Sequence, residues 1–460
     1  MQINPKSKQA YQLLHNGVLA LARAERQGIR VDMDYVEKKK THLTRKIDRI
    51  EAKFKQTQFY KDWARSVKGS VNINSSTQLA YFLYDVKKLK PPKQTKKGKG
   101  STDEESLSKL NIPELNMLLD KSKLEKLRDT YLDGFTREQV NGYIHPFFNL
   151  HLVSTYRSSS QNPNFQNIPK RDEEAKNTVR RALFPRPGHQ LLEIDYSGLE
   201  VRIGACVTKD SNLLKYIKDP TSDMHRDMAC QLFLLDKYDK EHHKVLRYAA
   251  KNGFVFPEFY GDYFKNCAVS LAANWGGIPS KKFKPGQGIK IGEDLFLSDH
   301  FLNKGIKSMA DYIDHVKNIE DDYWANRFPE YKRWQNMAWS TYQKYGYISV
   351  ATGFNCGGVM TRNKVFNYSV QGPAFHCLLW SLIEIDRIAT KENWDTKIIG
   401  QIHDAIVFDT NPDELDHVME VVKRVTCEDL PDAWNWIITP LDIELDVFPV
   451  DGSWADKIKN

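Results

Sequence analysis

The sequence predicts an α+β fold in which a small antiparallel sheet carries carboxylates and is flanked by long helices. Three observations predict it. Leu191, Leu192 and Ile194 form a short apolar run ending at Asp195, and Leu199, Val201 and Ile203 restart an apolar pattern after Ser197-Gly198, so a strand turns there into the next element. Lys397 to Asp409 reads as two apolar runs broken by His403-Asp404, a hairpin with a carboxylate at its tip. Leu43, Ile47, Ile50 and Phe54 recur at helical spacing along a Lys- and Glu-rich stretch.

At 460 residues the chain has room for about three domains. It contains no run of about 18 apolar residues, so no membrane span is expected, and Met1 to Lys6 lacks an apolar signal core. The six cysteines are scattered without a C-x-x-C pair. They read as reduced thiols of a cytoplasmic protein (in host cytoplasm if the source is viral), not as disulfides or zinc ligands. A net charge of +8 suits a polyanionic partner without establishing one. The lysines cluster at Lys90, Lys93, Lys96, Lys97 and Lys99, and again at Lys281, Lys282, Lys284 and Lys290.

In chain order, Tyr11 to Arg26 is helical and ends at Gly28; Ile29 and Val31 then lead to Asp32, a cap for the long helix beginning near Met33. The run Lys38-Lys39-Lys40 reads as a solvated face. Thr102 and Glu105 fit a capping box after a basic Pro/Gly-rich loop, which could reach along duplex phosphates. Gln161 to Arg171 is almost devoid of core residues and dense in amide and guanidinium donors. Such donors suit the minor groove, which presents acceptors at every base pair; a polar turn-rich loop is the plainer alternative. Asp223 opens a helix. Arg247 and Lys251 share a helix face, where a fork and a point charge could grip a triphosphate. Pro257 follows, costing about 3 kcal/mol in a helix interior, so the helix must bulge, kink or stop. Residues 262–305 receive no assignment: they could contact template, bind a partner or decorate their domain. Helical patterning resumes at Ile306. Asn367 and Gln371 lie on one helical face, with His376 and Trp380 continuing the helix as packing, and Pro440 to Val447 alternates as a strand.

Two carboxylates at strand ends are what a two-metal site requires, although Asp is also an ordinary turn residue. Mg²⁺ takes hard oxygen ligands and keeps waters and substrate phosphates in its shell. Two such ions, roughly 3.5–4 Å apart, stabilise the attacking and leaving oxygens of a phosphoryl transfer. Here the sequence resembles a family. Asp195-Tyr196-Ser197-Gly198-Leu199-Glu200-Val201-Arg202 resembles the first palm motif of family A DNA polymerases, and Gln401-Ile402-His403-Asp404 their third. Val71 to Leu79 and the loop from Pro91 to Glu105 resemble the thumb. Tyr143 to Ser160 resembles palm strands, and Gln166-Asn167-Ile168-Pro169 the segment lining the primer–template minor groove. Arg247 to Gly261 resembles the fingers helix, Asn367 to Gly372 the helix ending in N-x-x-x-Q-G, and Gly452-Ser453-Trp454 the close of the last palm strand. The likeness runs from about residue 10 to Trp454.

The resemblance implies a right-hand polymerase fold with a thumb (1–138), a first palm part (139–209), fingers (210–347) and a second palm part (348–460). It implies a template-directed DNA polymerase adding dNTPs to a primer 3′-hydroxyl. Asp195 and Asp404 would hold two Mg²⁺, for which Mn²⁺ could substitute, with the Tyr196 carbonyl as a further ligand. His225, Arg247 and Lys251 would bind the triphosphate, Phe256 and Tyr260 the sugar and base, and Glu200 would exclude a ribose 2′-hydroxyl. Arg157, Gln166, Asn167, Arg171, Asn367, Gln371 and His403 would meet DNA. Because no exonuclease-type D-x-E segment precedes the thumb, proofreading is expected to lie on another chain, to have been removed, or not to exist; a separate exonuclease or processivity subunit is a candidate partner. The sequence departs from the family at three places. Lys251 to Tyr260 holds one residue more than usual, Ala405 stands where Glu is common, and Asn363 stands at a basic position with Arg362 beside it. Phe256 in place of Tyr implies discrimination against dideoxynucleotides. A two-metal nuclease and a non-catalytic DNA scaffold are the rival readings; an RNA polymerase is disfavoured by Glu200.

Overall fold

A computed structural model describes residues 7–95, 97–170 and 172–458. Its largest sheet is antiparallel and four-stranded, in the order Ile443–Val447, Gln190–Tyr196, Ala405–Thr410, Lys397–Ile402. Leu191, Leu192 and Ile194 are buried, as expected of a strand covered on both faces. The helices Lys8–Gln27 and Arg362–Lys391 pack behind the sheet. Register sets the carboxylates: Ala405 lies opposite Asp195, and the Tyr196 amide donates to the Asp404 carbonyl at 3.1 Å. The hairpin turn is two residues long, with His403 at φ 52°, the positive φ that tight hairpins favour. After the strand, Gly198 at φ 61° turns the chain into the helix Leu199–Thr208.

Local chemistry explains the other boundaries. Asp32 caps Met33–Gln56 by accepting the Tyr35 amide at 2.9 Å. Gly28 ends the helix before it at φ 65°, where a Cβ would stand 2.6 Å from the Ile144 carbonyl oxygen. The Lys38–Lys40 face is only partly free, since Lys40 pairs with Glu37 and Asp133. Two readings need correction. The helix Glu104–Lys109 is capped by Asp103, whose carboxylate accepts the Ser106 amide at 2.9 Å, not by a Thr102–Glu105 box. The 161–171 loop is not devoid of core: Phe165 and Ile168 are buried, and Phe165 stacks on Trp454 at 5.4 Å. Isolated apolar residues among amides carry no periodicity, so composition alone hid them.

Among the described residues the buried apolar side chains segregate into three cores. One lies beneath the four-stranded sheet. A second joins Phe59, Trp63, Phe82, Leu83 and Leu115 in the 58–118 region. The third gathers Phe254, Phe259, Trp275, Tyr312, Tyr323 and Tyr331. Segment 262–305 belongs structurally to this third core: Trp275, Phe283, Ile291, Leu297 and Phe301 are all buried in it. Its lysines 281, 282 and 284 stay exposed.

A buried carboxyl in that core yields a prediction. Glu258 is fully buried and accepts from Trp324 Nε1 at 2.9 Å and Cys267 Sγ at 3.3 Å. Burial first, then the neighbouring Glu320 carboxyl, raise it well above the usual carboxyl range. An acid raised on folding contributes full stability below its unfolded value, and that stability is lost as pH rises through the folded one. Wild type should therefore lose thermal stability more steeply than Glu258→Gln between about pH 5 and about pH 8. Equal slopes in thermal scans would show that Glu258 carries its charge throughout.

Candidate active site

The strand and the hairpin bring Asp195 and Asp404 to one end of the two central strands, with side chains 34% and 28% exposed. Each carboxylate faces a cation. Lys170 Nζ donates to Asp195 Oδ2 at 2.5 Å. Arg157 Nη2 lies 3.7 Å from Asp404 Oδ1, and its Nη1 donates to Glu200 Oε1 at 3.4 Å. Burial pushes the Asp404 carboxyl up to about 6, and Glu200 and Asp195 add to this against the pull of Arg157 and Lys170. Negative charge is therefore in surplus, in a setting of hard oxygen donors, which fits divalent cations. Among the described residues no three His, Cys, Asp or Glu side chains converge into a ready-made metal cage. Two carboxylates with open positions match an ion that retains water and substrate oxygens. The Tyr196 side chain is buried and hydrogen-bonded to Ser381 Oγ at 2.8 Å, which leaves its carbonyl as the candidate donor.

The helix bearing Arg247 shows how the additional residue is absorbed. Lys244–Ala250 is α-helical, Lys251–Val255 widens into a π turn, and Phe256–Phe259 resumes the α form. The Phe256 amide donates to the Lys251 carbonyl, five residues back. One residue is inserted without breaking the helix. Pro257 sits in the first turn of the resumed segment, where proline is tolerated. Past the π turn the Phe256 ring stacks on Tyr260 (centroids 6.3 Å, interplanar 8°), with Lys251 Nζ 5.5 Å and the His225 ring 5.8 Å from it. Arg247 pairs with Asp223 at 2.8 and 3.2 Å, and Asp223 also caps the helix Met224–Leu232. Burial, then Lys251 and Arg247, lower His225 to about 4, so this imidazole is neutral near pH 7. Its Nδ1 is buried without a partner.

Glu200 connects the two halves of the site. It stands in the first turn of Leu199–Thr208 and accepts a short hydrogen bond from the Tyr260 hydroxyl. Arg202 does not pair with it; that guanidinium donates to the Ser197 and Pro440 carbonyls at 2.9 and 2.5 Å.

Of the candidate DNA-contacting residues, Gln166 and His403 are joined through Gln401. Gln166 Nε2 donates to Ser158 Oγ at 2.6 Å and Gln401 Oε1 at 2.9 Å, and Gln401 Nε2 donates to the His403 carbonyl at 2.5 Å. This amide ladder ties the 161–170 loop to the hairpin tip. His403 and Asn167 are exposed; the Asn167 carbonyl accepts from the Tyr131 hydroxyl at 2.9 Å. Asn367 and Gln371 are half-buried on the 362–391 helix. That helix packs closely on the chain just before the Ser159–Gln161 strand, since a Cβ on Gly372 would stand 2.7 Å from the Thr155 carbonyl oxygen. Arg171 lies outside the described residues. Sequence reasoning missed Lys170 on Asp195, Asp223 on Arg247, and Ser158 with Gln401 under Gln166. Only Lys170 carried a signal, as a cation beside the Gln-Asn-Ile-Pro run.

Comparison with known proteins places this geometry. A sequence profile of DNA polymerase family A matches residues 33–275. DNA polymerase I of Caldicellulosiruptor bescii is 27% identical over 414 residues, covering 88% of this chain and 43% of that protein. The thermostable DNA polymerase I of Thermus filiformis is 26% identical over 433 residues, covering 93% and 46%. The chain thus spans less than half the length of these relatives. The polymerase domain of Pol1 from M. smegmatis, solved in complex with DNA primer-template and dNTP, superposes with a TM-score of 0.74 at 22% identity, over 96% of this chain and 70% of that one. With its palm-type sheet, its carboxylate pair and a profile match over more than half its length, the chain belongs to DNA polymerase family A.

Proposed function

We propose that the chain is a template-directed DNA polymerase that adds dNTPs to a primer 3′-hydroxyl. One observation carries this reading beyond a nuclease or a scaffold: the Glu200–Tyr260 hydrogen bond joins the carboxylate end of the sheet to the helix bearing Lys251 and Phe256. A nuclease or a scaffold has no need of two stacked aromatics and a lysine held beside its carboxylates. The structure of a Pol1 domain with DNA primer-template and dNTP supports the same substrates here. We assign thumb, palm, fingers and second palm part to 1–138, 139–209, 210–347 and 348–460.

Asp195, Asp404 and the Tyr196 carbonyl would hold two Mg²⁺, or Mn²⁺ in their place. When bound, these ions acidify the primer 3′-hydroxyl and neutralise charge on the departing pyrophosphate. Lys251 meets the triphosphate as a point charge. Arg247 meets it as a fork once it exchanges Asp223 for phosphate, and His225 as a neutral hydrogen-bonding group. Phe256 and Tyr260 pack on sugar and base. Arg157, Gln166, Asn167, Arg171, Asn367, Gln371 and His403 would meet the primer–template DNA, all but His403 at its minor groove. Closing the 244–259 helix over a correctly shaped pair would complete the site, so selection acts through closure. Separate exonuclease or processivity subunits are natural partners. Six unpaired cysteines support a cytoplasmic setting, and among the described residues no helix is long and apolar enough to cross a membrane.

The test is a recessed primer–template with Mg²⁺ and either all dNTPs or all NTPs. Extension with dNTPs alone is expected. Primer shortening would establish the nuclease instead, and tight binding with no change in length the scaffold. The Phe256 ring offers no hydroxyl to replace a missing 3′-hydroxyl, so dideoxynucleotides should be used about 10- to 100-fold less efficiently than dNTPs. Phe256→Tyr should narrow that ratio in competition assays, and near-equal use by the wild type would refute the assignment of Phe256 to the sugar.

A further inference from the structure

We infer that Lys170 is a built-in counter-ion for Asp195: it pairs with this carboxylate when no divalent ion is bound, and it competes with one for that oxygen. The inference rests on the polymerase reading, in which Asp195 is a metal ligand. Lys170 Nζ is 2.5 Å from Asp195 Oδ2 and 3.4 Å from Glu193 Oε1. Residues 193 and 195 are two apart on one strand, so both carboxylates project from the same face.

The placement of this lysine is built. Glu193 is 3% exposed, and its Oε2 accepts from Arg180 Nη1 at 3.0 Å and Trp454 Nε1 at 2.9 Å. The Arg180 guanidinium lies 4.4 Å over the Trp454 ring, and its Nε donates to the Pro169 carbonyl at 3.2 Å. Arg180 therefore neutralises Glu193 and also fixes the backbone immediately before Lys170. A lysine needed only to neutralise Glu193 would be redundant beside Arg180. Its shorter contact is instead with Asp195, and its side chain remains half-exposed and able to move.

An ammonium 2.5 Å from Asp195 Oδ2 takes up that oxygen and repels a divalent ion arriving at it, so the two compete for this carboxylate. Ion binding thus exchanges one ion pair for another, and Glu193 Oε1 gives the displaced ammonium a nearby place to stay. The exchange lowers affinity for a free ion. Substrate phosphates bring negative charge of their own to the ion and to the displaced lysine, and so offset the loss. Lys170 thereby makes ion occupancy depend on bound nucleotide.

The experiment titrates Mn²⁺ alone, without DNA or nucleotide, reading free Mn²⁺ by electron paramagnetic resonance. Wild type is compared with Lys170→Met, Lys170→Arg, Asp195→Asn and the Lys170→Met/Asp195→Asn double variant. Lys170→Met should bind the ion about 5- to 20-fold more tightly than wild type, the range left after solvent screening of a half-exposed pair. Lys170→Arg should stay near wild type, and the gain should vanish in the double variant. If Asp195→Asn weakens binding but Lys170→Met lies within about twofold of wild type, the counter-ion role is wrong while the metal site stands. If Asp195→Asn changes nothing in either background, Asp195 is no metal ligand, and the polymerase reading fails with the inference.

Discussion

Replacing Asp404 by asparagine should lower primer extension by at least about 10³-fold and, at neutral pH, raise thermal stability. The loss follows from its place at the hairpin tip, beside the end of the strand that carries Asp195. An amide offers one neutral oxygen where a carboxylate offers charge, and several kcal/mol of transition-state stabilisation depend on the ion it holds. The gain in stability comes from the same surplus of negative charge. Burial, with Glu200 and Asp195 nearby, pushes the Asp404 carboxyl up to about 6. A folded-state value above the unfolded one means that the charged form opposes folding. The penalty is absent below the ordinary carboxyl range, grows as pH rises, and is complete above about pH 6. Its upper bound is about 3 kcal/mol, which partial exposure reduces to about 1 kcal/mol, or a rise of about 1 °C for a chain of 460 residues. Thermal scans of wild type and Asp404→Asn should therefore coincide at acidic pH and diverge towards neutrality. A variant that loses both activity and stability would mark Asp404 as structural.

The carboxylate pair was legible because both residues end apolar runs. A strand that stops on Asp195 and a hairpin that breaks at His403-Asp404 leave little freedom in where the side chains go. Helix caps at Asp32 and Asp223 were legible for the same local reason. What stayed hidden was tertiary. Counting residues between Lys251 and Tyr260 showed that one was surplus, and Pro257 showed that the helix could not continue unchanged. Neither told whether the backbone would kink, stop or widen, because a π turn is decided by packing. Here Gly253 lies against Leu271, where a Cβ would come within 3.1 Å of the leucine side chain. Likewise Lys170 and Asp195 are 25 residues apart. Their contact depends on the Arg180–Glu193–Trp454 cluster, whose members come from three separate stretches of chain. Arg247 illustrates the reverse case. Its helix face was read correctly, but its pairing with Asp223 shows that a cation assigned to phosphate already has a carboxylate to leave.

Glu200→Ala should reduce selectivity for dNTPs over NTPs by about 10²-fold or more. Both oxygens of Glu200 are held, Oε1 by Arg157 and Oε2 by the Tyr260 hydroxyl. A carboxylate anchored at both ends cannot swing aside for a 2′-hydroxyl, and burial and Glu200 keep the Tyr260 phenol protonated as the donor. Alanine removes the obstruction and leaves two polar groups without their partner. Use of NTPs should rise, while use of dNTPs falls by the cost of an unpaired buried hydroxyl, about 1–3 kcal/mol. Tyr260→Phe tests the anchor separately. Glu200 keeps its volume but loses one restraint, so selectivity should fall only about tenfold. Glu200→Gln separates bulk from charge: if bulk excludes the ribose, glutamine keeps the gate, and if charge repulsion does, glutamine behaves as alanine. The measurement is kcat/KM for single dNTP and NTP additions opposite the same template base. An unchanged ratio in Glu200→Ala would place sugar selection elsewhere and leave the Glu200–Tyr260 bond as a strut between the carboxylate end of the sheet and the 244–259 helix.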